Sequence, residues 1–338
     1  MNKELIRYRL RFTTPLHIGN ERADYASGSP TVHSDAFYAA LFFSAARLGF
    51  DELLPSDNPA KFSISSLFPF VQQDDNILCF FPRPQFFVQK GNESIADGSA
   101  SLRKKIKKAA FVDQTIFESL LTGGDTVPYI REENFRGAFW AAKHIQEITF
   151  LTSRVVPRAS ISRDGKEDTR IFYIERHYFS DNAGLFFLCR FENDEVRSKF
   201  EATLRFLGEE GIGTDRNVGH GKFEIASIES FRFGIVPNRN LAINLGLYCP
   251  SDKQELEEAL SGDHYGYDIL KRGGWLSEPY NTWRKRSVFM FKEGSCFHTG
   301  QQEATFVLGK TVDLKPTEVQ PPITHPVWRC GRTLFLSF

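Results

Sequence analysis

Four glycines stand among the thirteen residues from Gly211 to Phe223, and no other segment is as specific a candidate for chemistry. The segment reads Gly-Ile-Gly-Thr-Asp-Arg-Asn-Val-Gly-His-Gly-Lys-Phe. Glycines let a backbone approach a phosphodiester chain closely, and Arg, Asn and His donate hydrogen bonds to phosphate oxygens or base edges. The candidate contacts are Gly211, Gly213, Arg216, Asn217, Gly219, His220 and Gly221. The alternative is a long turn in which the glycines only permit positive φ angles.

The flanks of this glycine loop exclude the common nucleotide-cofactor motifs. Apolar residues recur at helical spacing over 196–207, and a strand pattern begins at Phe223. A dinucleotide-binding turn needs the opposite order, because a helix N-terminus supplies N–H groups to the pyrophosphate. It also needs a third glycine where Arg216 stands, and a P-loop needs Ser or Thr where Phe223 stands. We therefore predict no cofactor.

A second set of candidate phosphate contacts lies in a predicted hairpin over about residues 149–179. Apolar runs at 148–156 and 171–178 flank a turn signal, Asp164-Gly165. We predict an arm whose arginines contact phosphates, with Ile161 or Phe172 as a wedge between nucleotides. An ordinary surface hairpin, in which acidic residues balance the arginines, is the alternative. The projecting cations are Arg154, Arg158, Arg163, Lys166 and Arg170.

Eight histidines and five cysteines invite a metal-site interpretation that their spacing does not support. No two histidines share the helical spacing of metal ligands, and no Cys-x-x-Cys pair occurs. Asp35 is an acidic residue at a predicted helix start, where the helix dipole favours a carboxylate. We therefore assign no metal.

The elements that must position these residues are clearest near the N-terminus. A strand pattern over 5–12 runs into Thr-Pro-Leu-His-Ile-Gly at 14–19. A helix follows, for which Ser34 is the expected N-cap and Gly49 the expected end. The chain therefore begins β-loop-α.

A basic cluster in the second half of the chain has two interpretations. Arg284 and Arg286 follow Trp283 and precede an apolar strand pattern at 288–291. The cluster suits a solvated strand entry, or a clamp on RNA phosphates with Trp283 as a stacking platform. Both interpretations stay open from the sequence.

The order of elements predicts an α+β fold with two ferredoxin-like (RRM-like) domains in tandem. Residues 1–232 read β-α-β(β)-α-β, with a large insertion at about 51–150 and the projecting hairpin. Residues 233–338 hold alternating apolar residues at 241–247 and one clear helix, so we interpret the second domain as degenerate.

Composition limits the kind of nucleic-acid binder this chain can be. Lys and Arg total 42, as do Asp and Glu, so the formal net charge is zero. This balance argues against a generally basic nucleic-acid binder, and we expect weak RNA binding by the isolated chain. The first residues do not form a signal peptide, and no apolar run reaches membrane-spanning length, so a cytoplasmic location without membrane contact is expected.

Four motifs in chain order carry a family resemblance. They are Thr-Pro-Leu-His-Ile-Gly at 14–19, His-Ser-Asp at 33–35, the glycine loop, and His-Pro-Val-x-Arg-x-Gly at 325–331. With them, the chain resembles the RAMP proteins of type III-A CRISPR (Csm) systems. The likeness is closest to the subunit that holds the 5′ tag of the CRISPR RNA (crRNA). It spans the chain in order, although 51–150 aligns poorly by eye.

The resemblance implies a non-catalytic RNA-binding subunit of an antiviral effector complex. Its implied partners are the crRNA 5′ tag, the large polymerase/cyclase-like subunit and a neighbouring RAMP backbone subunit. The hairpin would correspond to the RAMP thumb. The motifs add His17, Gly19, His33 and Ser34 to the candidate RNA contacts.

Two other functions stay open. A related RAMP branch cleaves precursor RNA without metal, so His17, His33 or His220 is a candidate general acid or base of an endoribonuclease that processes CRISPR RNA precursor. The third possibility is a structural adaptor that makes no RNA contact.

Overall fold

A computed structural model describes residues 4–21, 24–55, 61–85, 100–145, 150–161, 168–237, 240–261, 266–276, 279–301 and 303–338. The helices are α1 (Ser34–Leu48), α2 (Ala100–Lys108), α3 (Gln114–Thr122), α4 (Asp194–Glu210) and α5 (Lys253–Ala259). The strands are β1 (Leu5–Phe12), β2 (Gly19–Glu21), β3 (Asp24–Gly28), β4 (Phe62–Ile64), β5 (Phe68–Gln73), β6 (Asn76–Pro82), β7 (Phe111–Asp113), β8 (Phe135–Arg136), β9 (Phe139–Trp140), β10 (Leu151–Ser160), β11 (Arg170–Phe179), β12 (Ala183–Phe191), β13 (Phe223–Phe231), β14 (Leu241–Asn244), β15 (Ile269–Arg272), β16 (Val288–Phe291), β17 (Cys296–His298), β18 (Thr305–Leu308), β19 (Thr311–Asp313), β20 (Trp328–Cys330) and β21 (Thr333–Ser337).

The fold is α+β and is built on one large sheet of nine strands. Its order is β13-β1-β12-β5-β6-β7-β9-β8, and β4 also pairs with β12. Strand β1 lies antiparallel between β12 and β13, with Tyr8 opposite Phe187 on one side and Ile228 on the other. Because side chains alternate along a strand, β12 sends apolar residues to both faces of the sheet, whereas β1 sends apolar residues mainly to one face and its arginines to the other.

Helices α1 and α4 cover the same face of this sheet, as their apolar stripes predict. Phe37 of α1 and Phe200 of α4 are fully buried in one cluster with Tyr8 and Phe187. The ring of Phe37 lies 5.0 Å from that of Phe187, and the ring of Tyr8 lies 5.8 Å from that of Phe200. The apolar stripes of the two helices are thus buried against one face of the sheet.

The opposite face of the sheet is covered as well. Phe186 and Leu188 of β12 pack there with Phe117 of α3 and with Ile243 of β14, so the insertion and the C-terminal part share one core. Arg7 and Arg9 of β1 emerge on this side at 15% and 13% exposure, and both pair with Glu229 at 2.7 Å. A strand of RNA therefore has no open sheet face here on which to stack its bases.

The C-terminal part has its own small sheet, ordered β17-β14-β21-β18. Among the described residues after 240, α5 is the one α-helix. Residues 51–150 hold strands β4 to β9 and two helices, and of these β5 and α3 contribute Phe68, Phe70, Ile116 and Phe117 to the shared core. The described segments contain no helix long and apolar enough to cross a membrane.

The start of α1 differs from the sequence-based expectation by one residue. His33 is the N-cap, with ψ of 145°, and it makes no side-chain cap hydrogen bond. Ser34 is instead the first helical residue, and its hydroxyl accepts a hydrogen bond from Leu247 N at 2.9 Å. The Ser34 hydroxyl thus binds the C-terminal part of the chain and does not cap α1.

Candidate nucleic-acid interface

The glycine loop begins where α4 ends, and most of its glycines serve the packing of the loop itself. All four have positive φ, from 72° to 99°. A Cβ on Gly213 would lie 2.4 Å from the carbonyl oxygen of His17, whereas one on Gly219 would meet nothing within 4 Å. Gly211 and Gly221 are also tightly packed against the loop's own backbone. Of these four glycines, Gly219 is therefore the one with free space where its side chain would be, whereas Gly213 packs against the backbone of His17.

The loop is fastened to the Thr-Pro-Leu-His-Ile-Gly segment, so two motifs about 200 residues apart form one structure. Thr214 N donates to His17 O at 3.0 Å, and Gly221 N donates to Pro15 O at 2.9 Å. Gly19 N donates to the hydroxyl of Thr214 at 3.4 Å. Gly19 is exposed, so it is the residue of this segment that a strand of RNA can approach.

The hairpin formed by β10 and β11 sits on the same structure. Leu16 exchanges backbone hydrogen bonds with His177 at 2.9 and 2.8 Å. Asp215 of the glycine loop pairs with Arg176 at 3.2 Å and with Arg158 at 3.6 Å. Sequence reasoning missed Asp215 and Arg176. The signal available for Arg176 was strand alternation, because it lies directly opposite Arg154.

The hairpin has one basic face and one apolar face. Arg154 and Arg158 lie on the same face as Arg176, because directly paired residues point to the same side of a two-stranded sheet. The other face carries the exposed side chains of Val155 (53%), Ile171 (67%) and Tyr173 (56%), and Ile161 (72%) follows β10. Arg163 and Lys166 lie outside the described residues, and Arg170 is exposed at the start of β11.

Two of the candidate RNA contacts are buried and are therefore corrected. His17 is 1% exposed, and its Nδ1 lies 2.6 Å from Glu175 O of the hairpin. Ser34 is fully buried and bonded to the C-terminal part. Both side chains join segments of the protein to each other and are inaccessible to a ligand.

His220 and Arg216 lie at the surface of the glycine loop. Burial lowers the pKa of His220, and the nearby positive charges of Arg176 and Arg158 lower it further, so the imidazole is neutral at neutral pH. The Arg216 guanidinium stacks over the ring of Phe43 at 4.9 Å, and Asn217 is exposed beside it. A neutral imidazole and an exposed amide offer hydrogen bonds, and the guanidinium adds charge.

His33 belongs to a different environment. Its Nδ1 lies 2.7 Å from Glu293 Oε1. Burial lowers the pKa of His33, but the Glu293 carboxylate more than offsets this, and the pKa lies above its ordinary value. His33 therefore lies beside Glu293, whereas His220 belongs to the glycine loop.

The Arg284–Arg286 cluster makes contacts within the C-terminal part. Arg284 stacks on the indole of Trp275 at 4.9 Å, not on Trp283, which is 38% exposed. Arg286 Nη2 donates to Asp313 O at 2.6 Å. The predicted stacking platform, Trp283, is thus exposed, and Arg284 is engaged with a different tryptophan.

Within the described residues, no group of three or more His, Cys, Asp or Glu side chains has the geometry of a metal site. The carboxylate of Asp35, at the start of α1, forms ion pairs with Arg272 and Arg329. The five cysteines are buried and form no disulfide bond.

Comparison with known proteins gives consistent matches along the chain. The family model of the RAMP superfamily matches residues 9–224, more than half of the chain, and the model of the CRISPR Csm4 C-terminal domain matches residues 238–338. The chain is 23% identical to Csm4 of Methanocaldococcus jannaschii over 283 residues, which are 75% of this chain and 71% of that protein. It is 24% identical to Csm4 of Thermococcus onnurineus over 223 residues, 63% of each chain.

Solved structures share the fold. A Csm3–Csm4 subcomplex of a type III-A CRISPR-Cas interference complex matches with a TM-score of 0.63 and 16% identity, over 99% of both chains. A Csm1–Csm4 cassette bound to AMPPNP matches with a TM-score of 0.55 and 18% identity, over 99% of this chain and 97% of that one.

Proposed function

Because this chain belongs to the RAMP superfamily and contains a Csm4 C-terminal domain, we propose that it is a non-catalytic RNA-binding subunit of a type III-A CRISPR effector complex. It holds the 5′ tag of the crRNA and bridges the large polymerase/cyclase-like subunit to the RAMP backbone. The relatives of like fold that were solved together with Csm3 or with Csm1 support the two protein partners.

One observation carries the RNA-binding part of the proposal. Backbone hydrogen bonds join the Thr-Pro-Leu-His-Ile-Gly segment to both the glycine loop and the hairpin, and Asp215 of the loop pairs with Arg158 and Arg176 of the hairpin. A single carboxylate neutralises only one of these two cations. The remaining positive charge lies beside Arg154, which is exposed, so the basic face of the hairpin suits a chain of phosphates.

The covered sheet directs the RNA to this edge of the molecule. In RRM-like domains bases stack on an open sheet, but here the insertion and the C-terminal part occupy that face. The accessible donors at this edge are on the glycine loop and the hairpin. Binding there is governed by backbone phosphates, with base reading confined to the few donors of the loop.

The apolar face of the hairpin complements the basic one. Val155, Ile171 and Tyr173 present a continuous exposed strip on a surface whose reverse side carries arginines. Such a strip excludes water when it packs against a base or against a protein partner. We propose that it faces the neighbouring RAMP backbone subunit, with Ile161 near the tip as the wedge.

The finer architecture belongs to the same proposal. The N-terminal part supplies one ferredoxin-like unit, residues 1–232, with the hairpin as its thumb. Residues 233–338 are a degenerate second unit with a single described helix.

A salt titration tests the RNA contacts. In the assembled complex, or in a heterodimer with the large subunit, the double variant Arg154→Gln/Arg158→Gln should bind all tag sequences more weakly. Each lost phosphate contact lowers the slope of log affinity against log salt by roughly 0.7. Arg205→Gln is the matched control, because Arg205 is an exposed arginine of α4 that pairs with Glu201 at 3.7 Å. An unchanged slope in the double variant rejects phosphate contact by this face.

Cleavage of labelled repeat RNA tests the endoribonuclease alternative. The proposed function predicts no specific product with or without EDTA. Specific cutting that His33→Ala or His220→Ala abolishes would establish an enzyme and overturn the non-catalytic assignment. Crosslinking of the intact complex separates RNA binding from a purely structural adaptor, which would yield no RNA adduct.

A further inference from the structure

A cavity of about 220 Å³ lies away from the glycine loop, where three parts of the chain meet. The segment before α1 contributes His33, the insertion contributes Arg83, Lys107 and Lys108, and the C-terminal part contributes Lys292 and Glu293. Two sequence features that the proposed function leaves unused, the Phe-Pro-Arg-Pro segment at 81–84 and the basic run at 103–108, thus meet at one place.

Arg83 is a half-buried cation without a carboxylate partner in the described part of the chain. Its Nη1 donates to the carbonyl oxygen of Ile106. Burial lowers its pKa, because removing water disfavours the charged form. A partly desolvated guanidinium with a single backbone contact costs free energy that a bound anion would recover.

The lysines in the cavity wall beside Arg83 also lack a carboxylate partner among the described residues. Lys107 and Lys108 are exposed residues of α2, and neither forms an ion pair with a described carboxylate. The ion pair of this helix joins Lys105 to Glu132, outside the cavity lining. In a chain whose formal net charge is zero, this concentration of cations is local.

The floor of the cavity is rigid and polar. Glu293 is 5% exposed and accepts hydrogen bonds from His33 Nδ1 and from the Ser66 hydroxyl. Burial lowers the pKa of His33, but the Glu293 carboxylate raises it above its ordinary value and so favours the protonated ring, in which Nε2 can donate a hydrogen bond to a ligand while Nδ1 donates to Glu293. The serine is bonded to the carboxylate and not to the imidazole, so the trio lacks the order of a nucleophilic triad.

We propose that this cavity binds a phosphate group, with Arg83, Lys107 and Lys108 as ligands and His33 as an additional donor. The cations exclude a metal ion, and planar guanidinium and ammonium groups are the usual protein partners of phosphate. The volume is below the roughly 300–1,000 Å³ typical of pockets for whole drug-sized ligands, so it holds a phosphate with part of its sugar. The site does not depend on the proposed tag binding at the hairpin.

Titration calorimetry on the full-length chain in phosphate-free buffer of low ionic strength tests the site. The probes are inorganic phosphate, AMP and a short single-stranded RNA. Arg83→Gln and Lys107→Gln/Lys108→Gln should each weaken binding about tenfold, because each variant removes charge-assisted hydrogen bonds to the phosphate. Lys104→Gln is the matched control, because Lys104 is an exposed lysine of the same helix outside the cavity.

The three probes distinguish the source of the phosphate. Binding of AMP or inorganic phosphate that the cavity variants weaken identifies a site for free nucleotides. Sensitivity of RNA binding alone identifies a site for a strand phosphate. If no probe responds to the cavity variants, or if Lys104→Gln weakens binding as much as they do, the proposal is wrong. The lysine variants change only exposed side chains, so they test the site even where Arg83→Gln fails to fold.

Discussion

Replacing Asp35 should destabilise the protein far more than replacing any exposed acidic residue. Asp35 is fully buried at the start of α1 and binds two arginines of the C-terminal part. Arg272 donates to it twice, at 2.8 and 3.0 Å, and Arg329 donates once, at 2.9 Å. The carboxylate therefore ties the first helix to β15 and β20.

The magnitude follows from what Asp35→Ala leaves behind. The side chains of Arg272 and Arg329 are only 23% and 10% exposed, so two largely desolvated cations lose their counter-charge together. Removing one partner of a buried pair costs roughly 3–5 kcal/mol. Lys285, whose pKa burial and the charge of Arg329 lower to about 8, adds a third positive group nearby. We expect the upper half of that range.

Urea unfolding followed by tryptophan fluorescence measures this cost, since Trp328 adjoins Arg329 in the chain. The control is Asp75→Ala, an exposed aspartate for which we expect a change within about 0.5 kcal/mol. A triple variant, Asp35→Leu with Arg272→Met and Arg329→Met, should recover most of the loss, because an apolar replacement of the whole cluster removes the unpaired charges. A loss below about 1 kcal/mol for Asp35→Ala would refute the reasoning.

Two further predictions concern backbone and charge. Gly213→Ala should lower the unfolding midpoint clearly more than Gly219→Ala, because the Cβ at position 213 would lie 2.4 Å from the His17 carbonyl oxygen. At position 219 the alanine costs only the strain of a positive φ, about 1–2 kcal/mol. Equal losses would contradict this reasoning, and RNA binding by the folded Gly219→Ala variant tests whether this residue contacts phosphate. Lys285 is the second case: its folded-state pKa of about 8 lies below the ordinary 10.5, so the unfolded chain binds more protons between these values, and stability should rise as pH increases from 8 towards 10.5. Lys285→Met should flatten that rise, and an unchanged pH profile would show that Lys285 is solvated.

Periodicity and turn chemistry predicted the local elements well. The stripes of α1 and α4, the strand at 5–12 and the long hairpin are all present, because each depends on the spacing of apolar residues along a short segment. The cap of α1 is the exception. Ser34 has the right side chain for an N-cap, but its hydroxyl bonds to Leu247, a residue more than 200 positions away.

The candidate site was predicted in parts and assembled only by the tertiary structure. Sequence motifs pointed to the glycine loop, to Thr-Pro-Leu-His-Ile-Gly and to the hairpin, since glycine spacing and arginine-rich strands are local properties. Their assembly depends on hydrogen bonds between segments about 60 to 200 residues apart, which no local pattern encodes.

The sequence by itself determined the α+β class, the family resemblance and the residue types available for phosphate contact. The tertiary structure decided which of those residues are accessible: it buried His17 and Ser34, covered the sheet face, left Asn217 and Arg154 exposed, and left Gly219 and Arg158 half-buried. The physical reason is that burial is a property of how distant segments pack. The presence of a histidine or serine in the sequence does not show whether its side chain will be exposed to solvent or packed against the backbone of another strand.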